Sequence, residues 1–253
     1  IIGACAKCGN IEKAHLWIDR MAKMSISPDH VTISTMMAAH AKRGDVKSTE
    51  AWMEVSRRNG YAHDTEKFNV ILDACAKCGE LDKLADRFET MVAASCQPNV
   101  ITYTAMIDGH ARAGDVAGAE AWFATMKEAG HEPNLVSWGA MMRVHADAGN
   151  VTSAEDLFNT MQNERIDPDV STFNLLIKAC IRKKQLHGAS RWLRRMRDMG
   201  CRPNNITFST ILDGYAKHGW VETAVRWFED MEAASVDRDV VTYTTVIDAC
   251  CKA

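Results

Sequence analysis

Apolar positions along this chain recur with a helical period, and the pattern itself then repeats. In the stretch VSWGAMMRVHADAG, Trp138, Met141, Met142 and His145 fall three and four residues apart, which is one face of a helix. Gly149 closes that helix, because glycine enters the left-handed conformation without steric cost. Asn150 is then placed to cap a second helix, as Asp45, Asp115 and Asn10 do after their own glycines. The second helix carries Val151, Ala154, Phe158 and Met161 on its buried stripe, and Pro168 stops its continuation. The predicted unit is helix, turn, helix, loop.

That unit recurs every 35 residues, a length typical of helical repeats. Full units open at His30, Thr65, Val100, Leu135, Val170 and Asn205 and span 30–64, 65–99, 100–134, 135–169, 170–204 and 205–239; partial units occupy 1–29 and 240–253. All five prolines, Pro28, Pro98, Pro133, Pro168 and Pro203, fall at the last position but one of the unit. Gly9, Gly44, Gly79, Gly114, Gly149 and Gly219 share the fifteenth position, while Met21, Met91, Met126, Met161, Met196 and Met231 share another. An uninterrupted array of this kind is an all-α solenoid whose core is a continuous strip, one elongated domain rather than two globular ones. Both ends fall inside a repeat, so a segment of a longer protein is expected. No apolar run approaches the roughly 20 residues that span a bilayer, so no membrane partner is expected, and no targeting peptide is seen at Ile1.

The pairs Cys5/Cys8 and Cys75/Cys78 resemble halves of a zinc finger, but they stand 70 residues apart, two repeat lengths. Unit position 11 reads Cys5, His40, Cys75, His110, His145, Cys180, Tyr215 and Cys250. Stacked helices lie about 8–10 Å apart, too far for a tetrahedral site with sulfur at roughly 2.3 Å. The pairs also precede a glycine at a helix C-terminus, where the dipole disfavours thiolate. The column is read as core, with no metal or cofactor, and nine reduced thiols imply an intracellular compartment. The net charge of −3 gives no global attraction for nucleic acid and leaves room only for a local basic stripe.

Such a stripe emerges when the first helix is unrolled. With position 2 at zero, positions 5, 9 and 13 lie within about 60° of it, and positions 4, 7, 8 and 11 gather opposite. The far side is core, with Phe68, Tyr103, Trp138, Phe173, Phe208 and Tyr243 at position 4. On the near side, position 13 reads Lys7, Lys42, Lys77, Arg112, Asp147, Arg182, Lys217 and Lys252. Position 5 reads Ser34, Asn69, Thr104, Gly139, Asn174, Ser209 and Thr244, and the unit's last position reads Asp29, Asp64, Asn99, Asn134, Asp169, Asn204 and Asp239. Capping accounts for Asp and Asn at the end of the unit; it does not account for the small polar column beside them, nor for apolar Val31, Ile101, Val136, Ile206 and Val241 at position 2 of a polar face. An apolar cover beside two hydrogen-bonding groups, repeated along a basic stripe, fits single-stranded RNA taken one base per repeat.

The segments NVITYTAMIDGHARAGDVAGAEAWFATMKEAGHEPN and NNITFSTILDGYAKHGWVETAVRWFEDM resemble the pentatricopeptide repeat family, and the resemblance covers essentially all 253 residues. It implies a right-handed superhelix of helical hairpins acting in an organelle, mitochondrion or chloroplast, in RNA processing, stabilisation, splicing or translation, with the RNA 5′ end toward the N-terminus. It also implies that position 5 and the last position of a unit jointly choose the base. On that pattern Ser34/Asp64 reads G, Asn69/Asn99 a pyrimidine, Thr104/Asn134 A, Gly139/Asp169 a weak G, Asn174/Asn204 a pyrimidine and Ser209/Asp239 G. Phosphate contacts are assigned to Lys42, Lys77, Arg112, Arg182 and Lys217.

Departures from the family pattern weaken particular units. Glu66 and Ser171 replace the apolar cover, Asp147 replaces a basic residue, and Gly139 offers no side chain. Lys184, His63 and Arg238 break the glycine and proline columns, and Trp17, Trp52, Trp122, Trp192 and Trp227 are read as packing between repeats. The leading expectation is a non-catalytic RNA-binding module, since no phosphate-cradling glycine loop, carboxylate cluster or deaminase motif is found. The alternative is a helical-repeat scaffold for protein partners within a ribonucleoprotein assembly. On that alternative Asp73/Lys77, Asp108/Arg112, Asp213/Lys217 and Asp248/Lys252 are only helix-surface ion pairs.

Overall fold

The computed structural model describes residues 1–61, 64–234 and 236–252, apart from the side chains of Ala233 and Lys252. His63, and the Lys252 side chain with its pairing to Asp248, lie outside the described residues. Two compact units divide the chain at Pro133/Asn134. The first holds α1 (Ile2–Lys7), α2 (Ile11–Lys23), α3 (His30–Lys42), α4 (Val46–Arg58), α5 (Thr65–Cys78), α6 (Leu81–Ala93), α7 (Val100–Ala113) and α8 (Val116–Glu128). The second holds α9 (Leu135–Ala148), α10 (Val151–Asn163), α11 (Val170–Arg182), α12 (Leu186–Asp198), α13 (Asn205–Lys217), α14 (Val221–Ala233) and α15 (Val240–Lys252). Among the described residues every regular element is an α-helix, and none is long and apolar enough to cross a membrane.

Each unit is a stack of helical hairpins. In the first, α1, α3, α5 and α7 pack in sequence, and α4 and α6 lean on the odd-numbered helix that follows; α9, α11, α13 and α15 do the same in the second, with α10, α12 and α14 behind them. The aromatic column lies in these seams, where Phe68, Trp138, Phe173 and Phe208 are fully buried, each worth on the order of 1.5–3 kcal/mol. Trp192 packs edge-on against Phe158 at 5.0 Å, as Trp122 does against Phe88 at 4.8 Å. The tryptophans therefore fill gaps between hairpins on the even-numbered helices. Tyr243 and Cys250 depart from the core reading: both are exposed on α15, which among the described residues is packed by α13 and α14 alone.

Two chain reversals per repeat are set by backbone chemistry. The first uses the glycine column in left-handed geometry, φ 72° at Gly149, and Lys184 adopts the same conformation at φ 61° without glycine's freedom. The second ends the even-numbered helices. Gly60, Gly130 and Gly200 are left-handed there, and Ser25, Ser95 and Arg165 take that place in alternate repeats. The amide three residues beyond the helix folds back onto the carbonyl of the methionine column, as in Ile166 N–H to Met161 O at 3.0 Å, and this closing bond holds the strained residue in place. Asn10, Asp45 and Asp115 cap the second helices through their side chains, whereas Asn150 occupies the cap position without a side-chain hydrogen bond.

Candidate nucleic-acid interface

The odd-numbered helices present one edge to solvent, and the position 2 residues stand on it. Val31, Ile101, Val136, Ile206 and Val241 are 61–68% exposed, among the most exposed large apolar side chains of the chain. Glu66 and Ser171 are exposed at the same place. Between α13 and α15 this edge opens into a groove of about 310 Å³, walled by Val240, Val241 and Thr244 on one side and Asp213 and Lys217 on the other.

Beside the apolar column, the last residue of each unit caps the next odd-numbered helix, and the cap fixes which atom it turns outward. Asn99 Oδ1 accepts from the backbone N–H groups of Ile101 and Thr102 at 3.0 and 3.1 Å. The same oxygen receives Asn69 Nδ2 at 3.2 Å. Thr102 Oγ1 accepts from the Asn99 N–H at 3.0 Å and donates to Asn69 Oδ1 at 2.6 Å. Asn69, 6% exposed, is held at both ends of its amide, and the group left over at Asn99 is the Nδ2 donor. The second unit repeats the arrangement: Asn204 Oδ1 caps Thr207 at 3.0 Å, and Thr207 Oγ1 donates to Asn174 Oδ1 at 2.7 Å.

Two aspartates of the same column, Asp29 and Asp169, spend one oxygen on the cap and keep the other. Asp29 Oδ1 and Asp169 Oδ1 accept from the N–H groups of Thr32 and Thr172, each at 2.8 Å. The hydrogen bonds from Thr32 hold the Asp29 carboxyl below its ordinary range, so it stays an acceptor. The column thus offers an outward donor where it is Asn and an outward acceptor where it is Asp.

The remaining pairs are less uniform. Asp239 caps Thr242 and takes Asn205 Nδ2 on its second oxygen at 2.8 Å; Ser209 Oγ donates to Asn205 Oδ1 at 3.0 Å, so Asn205 bridges the pair. Asp64 caps Lys67, whose ammonium meets its second oxygen at 3.1 Å. Ser34 is half-buried on α3. Gly139 has nothing within 4 Å of where a Cβ would stand. Thr104 turns its hydroxyl to the Val100 carbonyl at 2.7 Å, while Asn134 caps Val136 and Ser137, each at 3.0 Å; the two members of that pair lie in different units.

Position 13 is basic and largely exposed, but most of its charges already have partners. Lys77 pairs with Asp73, Arg112 with Asp108 at 2.6 Å and Lys217 with Asp213 at 2.6 Å. At the surface such pairs are worth only a few tenths of a kcal/mol and yield readily to phosphate. Lys42 carries no ion pair among the described residues. Asp147 does more than leave a gap in the stripe: it reaches into the next repeat, where Lys178 lies at 2.6 Å and Arg182 at 3.3 Å.

In the Cys/His column, His40 and His110 pair through Nδ1 with Asp45 and Asp115 at 3.1 and 2.8 Å, joining the end of one helix to the cap of the next. Burial pushes the Cys75 and Cys180 thiols up to about 11, the opposite of a reactive cysteine. Among the described residues no three His, Cys, Asp or Glu side chains come together to hold a metal ion.

The PPR repeat family model matches residues 63–112, 98–141, 133–182, 168–217 and 208–252, and a second PPR repeat model matches 1–26. The chain belongs to the pentatricopeptide repeat family. Its fold is similar to that of the pentatricopeptide repeat protein PPR10 solved with an 18-nucleotide psaJ RNA element, with TM-score 0.79 and 22% identity over 98% of this chain. The chain spans 36% of that protein. It also resembles the PPR domain of the Arabidopsis thaliana protein-only RNase P 1 in complex with tRNA, with TM-score 0.56 and 22% identity over 73% of this chain and 97% of that domain. Among curated proteins none matches in sequence.

Within this pentatricopeptide repeat array, position 3 was not recognised from the sequence as part of the site. Thr102, Ser137, Thr172, Thr207 and Thr242 are buried polar residues, and their hydroxyls lock the capping residue. The signal lies in the triplets ITY, VSW, STF, ITF and VTY, where a hydroxyl residue recurs directly before the aromatic column.

Proposed function

We propose that the chain is a non-catalytic, sequence-selective binder of single-stranded RNA that takes about one base per repeat and acts in organellar RNA processing, stabilisation, splicing or translation. The observation that carries this reading is the fixed capping residue. Because one oxygen must face the helix N-terminus, Asp and Asn at one place turn opposite hydrogen-bonding groups outward. Guanine and uracil carry an N–H at the centre of the Watson–Crick edge and suit an acceptor; adenine and cytosine carry a bare ring nitrogen there and suit a donor. The exposed Val and Ile side chains of the neighbouring column supply an apolar surface for the base, and the basic residues of position 13 meet the phosphates. RNA in complex with PPR10, and tRNA with the protein-only RNase P 1 domain, are precedents on similar folds.

Read from the N-terminus, the pairs give 5′-G-Y-A-g-Y-G-3′, parallel to the chain. An RNA containing GCAGCG should bind at least roughly tenfold tighter than one containing CGUCGC at the same salt, a modest demand when each mismatch in a specific nucleic-acid site costs about 1–3 kcal/mol. Equal binding of the two, or none, would favour a protein scaffold. The organellar setting rests on family membership, and the destination of the full-length protein fused to a fluorescent reporter tests it separately.

A further inference from the structure

Ser34/Asp64 and Ser209/Asp239 are the same pair of residues, in different units of the molecule, and carry the same expected reading. They differ in the residue that each aspartate caps. Asp239 caps Thr242, whose hydroxyl lies 3.1 Å from the capping oxygen. Asp64 caps Lys67, the one residue of this column that is neither threonine nor serine. The Lys67 side chain is 3% exposed, and its Nζ stands 3.1 Å from Asp64 Oδ2, the oxygen that the cap leaves over. His30 Nε2 approaches the same oxygen at 3.7 Å.

A buried ammonium against a carboxylate changes what that carboxylate offers. Guanine recognition needs a negative acceptor facing the two N–H donors of its edge. At Asp239 the outward oxygen also has a neighbour, the Asn205 amide, but that group is neutral and leaves the carboxylate charge in place. At Asp64 the charge is cancelled within the protein, and removing Lys67 from its place would strand a buried cation, so RNA cannot displace it as it displaces a surface lysine. Burial pushes the Asp64 carboxyl up, but the Lys67 N–H and ammonium outweigh it and hold the group ionised. Asp64 and Lys67 therefore stand as an ion pair held by the fold.

We propose that Lys67 silences guanine selection by Ser34/Asp64, so that the repeat at 30–64 accepts a base with little discrimination while Ser209/Asp239 selects guanine. This rests on the reading of the capping column as the base-contacting one. The test uses the whole chain and single-stranded RNA pools randomised at the two bases assigned to these pairs. In the parent protein, guanine should be enriched at the Ser209/Asp239 base and enriched less than about twofold at the Ser34/Asp64 base, against the 1–3 kcal/mol of a good base contact. Lys67→Thr, which installs the residue of the sibling repeats, should raise guanine preference at its own base roughly tenfold and leave the other base unchanged. Lys67→Met removes the ammonium while keeping a long apolar stem, and it should raise guanine preference as well. Strong guanine selection by the parent at the Ser34/Asp64 base overturns the proposal, as does no gain in Lys67→Thr. A gain with Thr and none with Met overturns the role given to the charge. Absence of guanine selection at Ser209/Asp239 sinks instead the underlying reading of the column, and the inference with it.

Discussion

Asn69/Asn99 in the first unit and Gly139/Asp169 in the second occupy equivalent places in their repeats, yet one is closed and the other open. Asn69 is buried, with its amide oxygen taken by Thr102 and its amide nitrogen by Asn99. Asp169 caps just as well, accepting both the N–H and the hydroxyl of Thr172, but Gly139 brings no side chain to it. Both repeats orient their capping residue, Asn99 with a donor outward and Asp169 with an acceptor, so the further difference is the partner that seals the space beside it. The cap supplies the choice between donor and acceptor; the position 5 side chain supplies rigidity and the exclusion of water.

The largest effect should come from removing the electrostatic support that both sites share. With five phosphate contacts at roughly 0.7 each, the log–log salt slope for single-stranded RNA should be about −3 to −4. Replacing Lys42, Lys77, Arg112, Arg182 and Lys217 by Glu together should abolish binding with helicity intact; unchanged affinity would contradict the interface. Part of this support is held back at the open site, where Asp147 engages Arg182. Asp147→Asn removes the carboxylate from Arg182, which keeps its bond to the residue 147 carbonyl, and should move the slope toward the steeper end of that range.

Next in size is the closed site. Asn69→Ala strips Thr102 Oγ1 and Asn99 Oδ1 of a partner in a mostly buried setting, so it should cost about 1–3 kcal/mol in denaturant unfolding. Base selection at that repeat should fall with it, while the Gly139/Asp169 base is unaffected. The smallest effect is expected on filling the open site. A Cβ at Gly139 meets nothing within 4 Å, so Gly139→Asn should be tolerated and gain a few tenths of a kcal/mol from helix propensity. With Asp169 beside it, it should turn a weak purine reader into one that selects uracil. Selection unchanged in randomised pools would contradict the role given to the position 5 side chain.

Much of this was legible in the sequence. The 35-residue columns located the helices and the aromatic core, because each is set by a periodic choice of side chain: each full unit opens on the first residue of an odd-numbered helix. What the columns could not give is the state of each charge. Asp64 and Asp239 are indistinguishable as letters, and only the structure puts an ammonium on one and an amide on the other. Asp147 read as a missing base, whereas it bridges to Lys178 and Arg182. Position 3 recurs as a hydroxyl residue, but recurrence alone does not tell a helix-start preference from a contact, and its meaning lies in a hydroxyl shared across two repeats. Tyr243 and Cys250 looked like core, since a column states a residue's phase on its helix and not whether a neighbour covers it.

On the proposed reading, the outward atom of the capping residue chooses the base. Asn99→Asp and Asn204→Asp leave the Oδ1 cap and the Thr102 and Thr207 hydroxyls in place and replace an outward donor by an acceptor at two sites. Randomised RNA pools selected by the parent should be rich in cytosine at both bases. In the double variant both should move to uracil, by roughly tenfold if the contact matches a good base contact, with the other bases unchanged. Retention of cytosine at both, or a loss of selection spread over every position, would contradict the account.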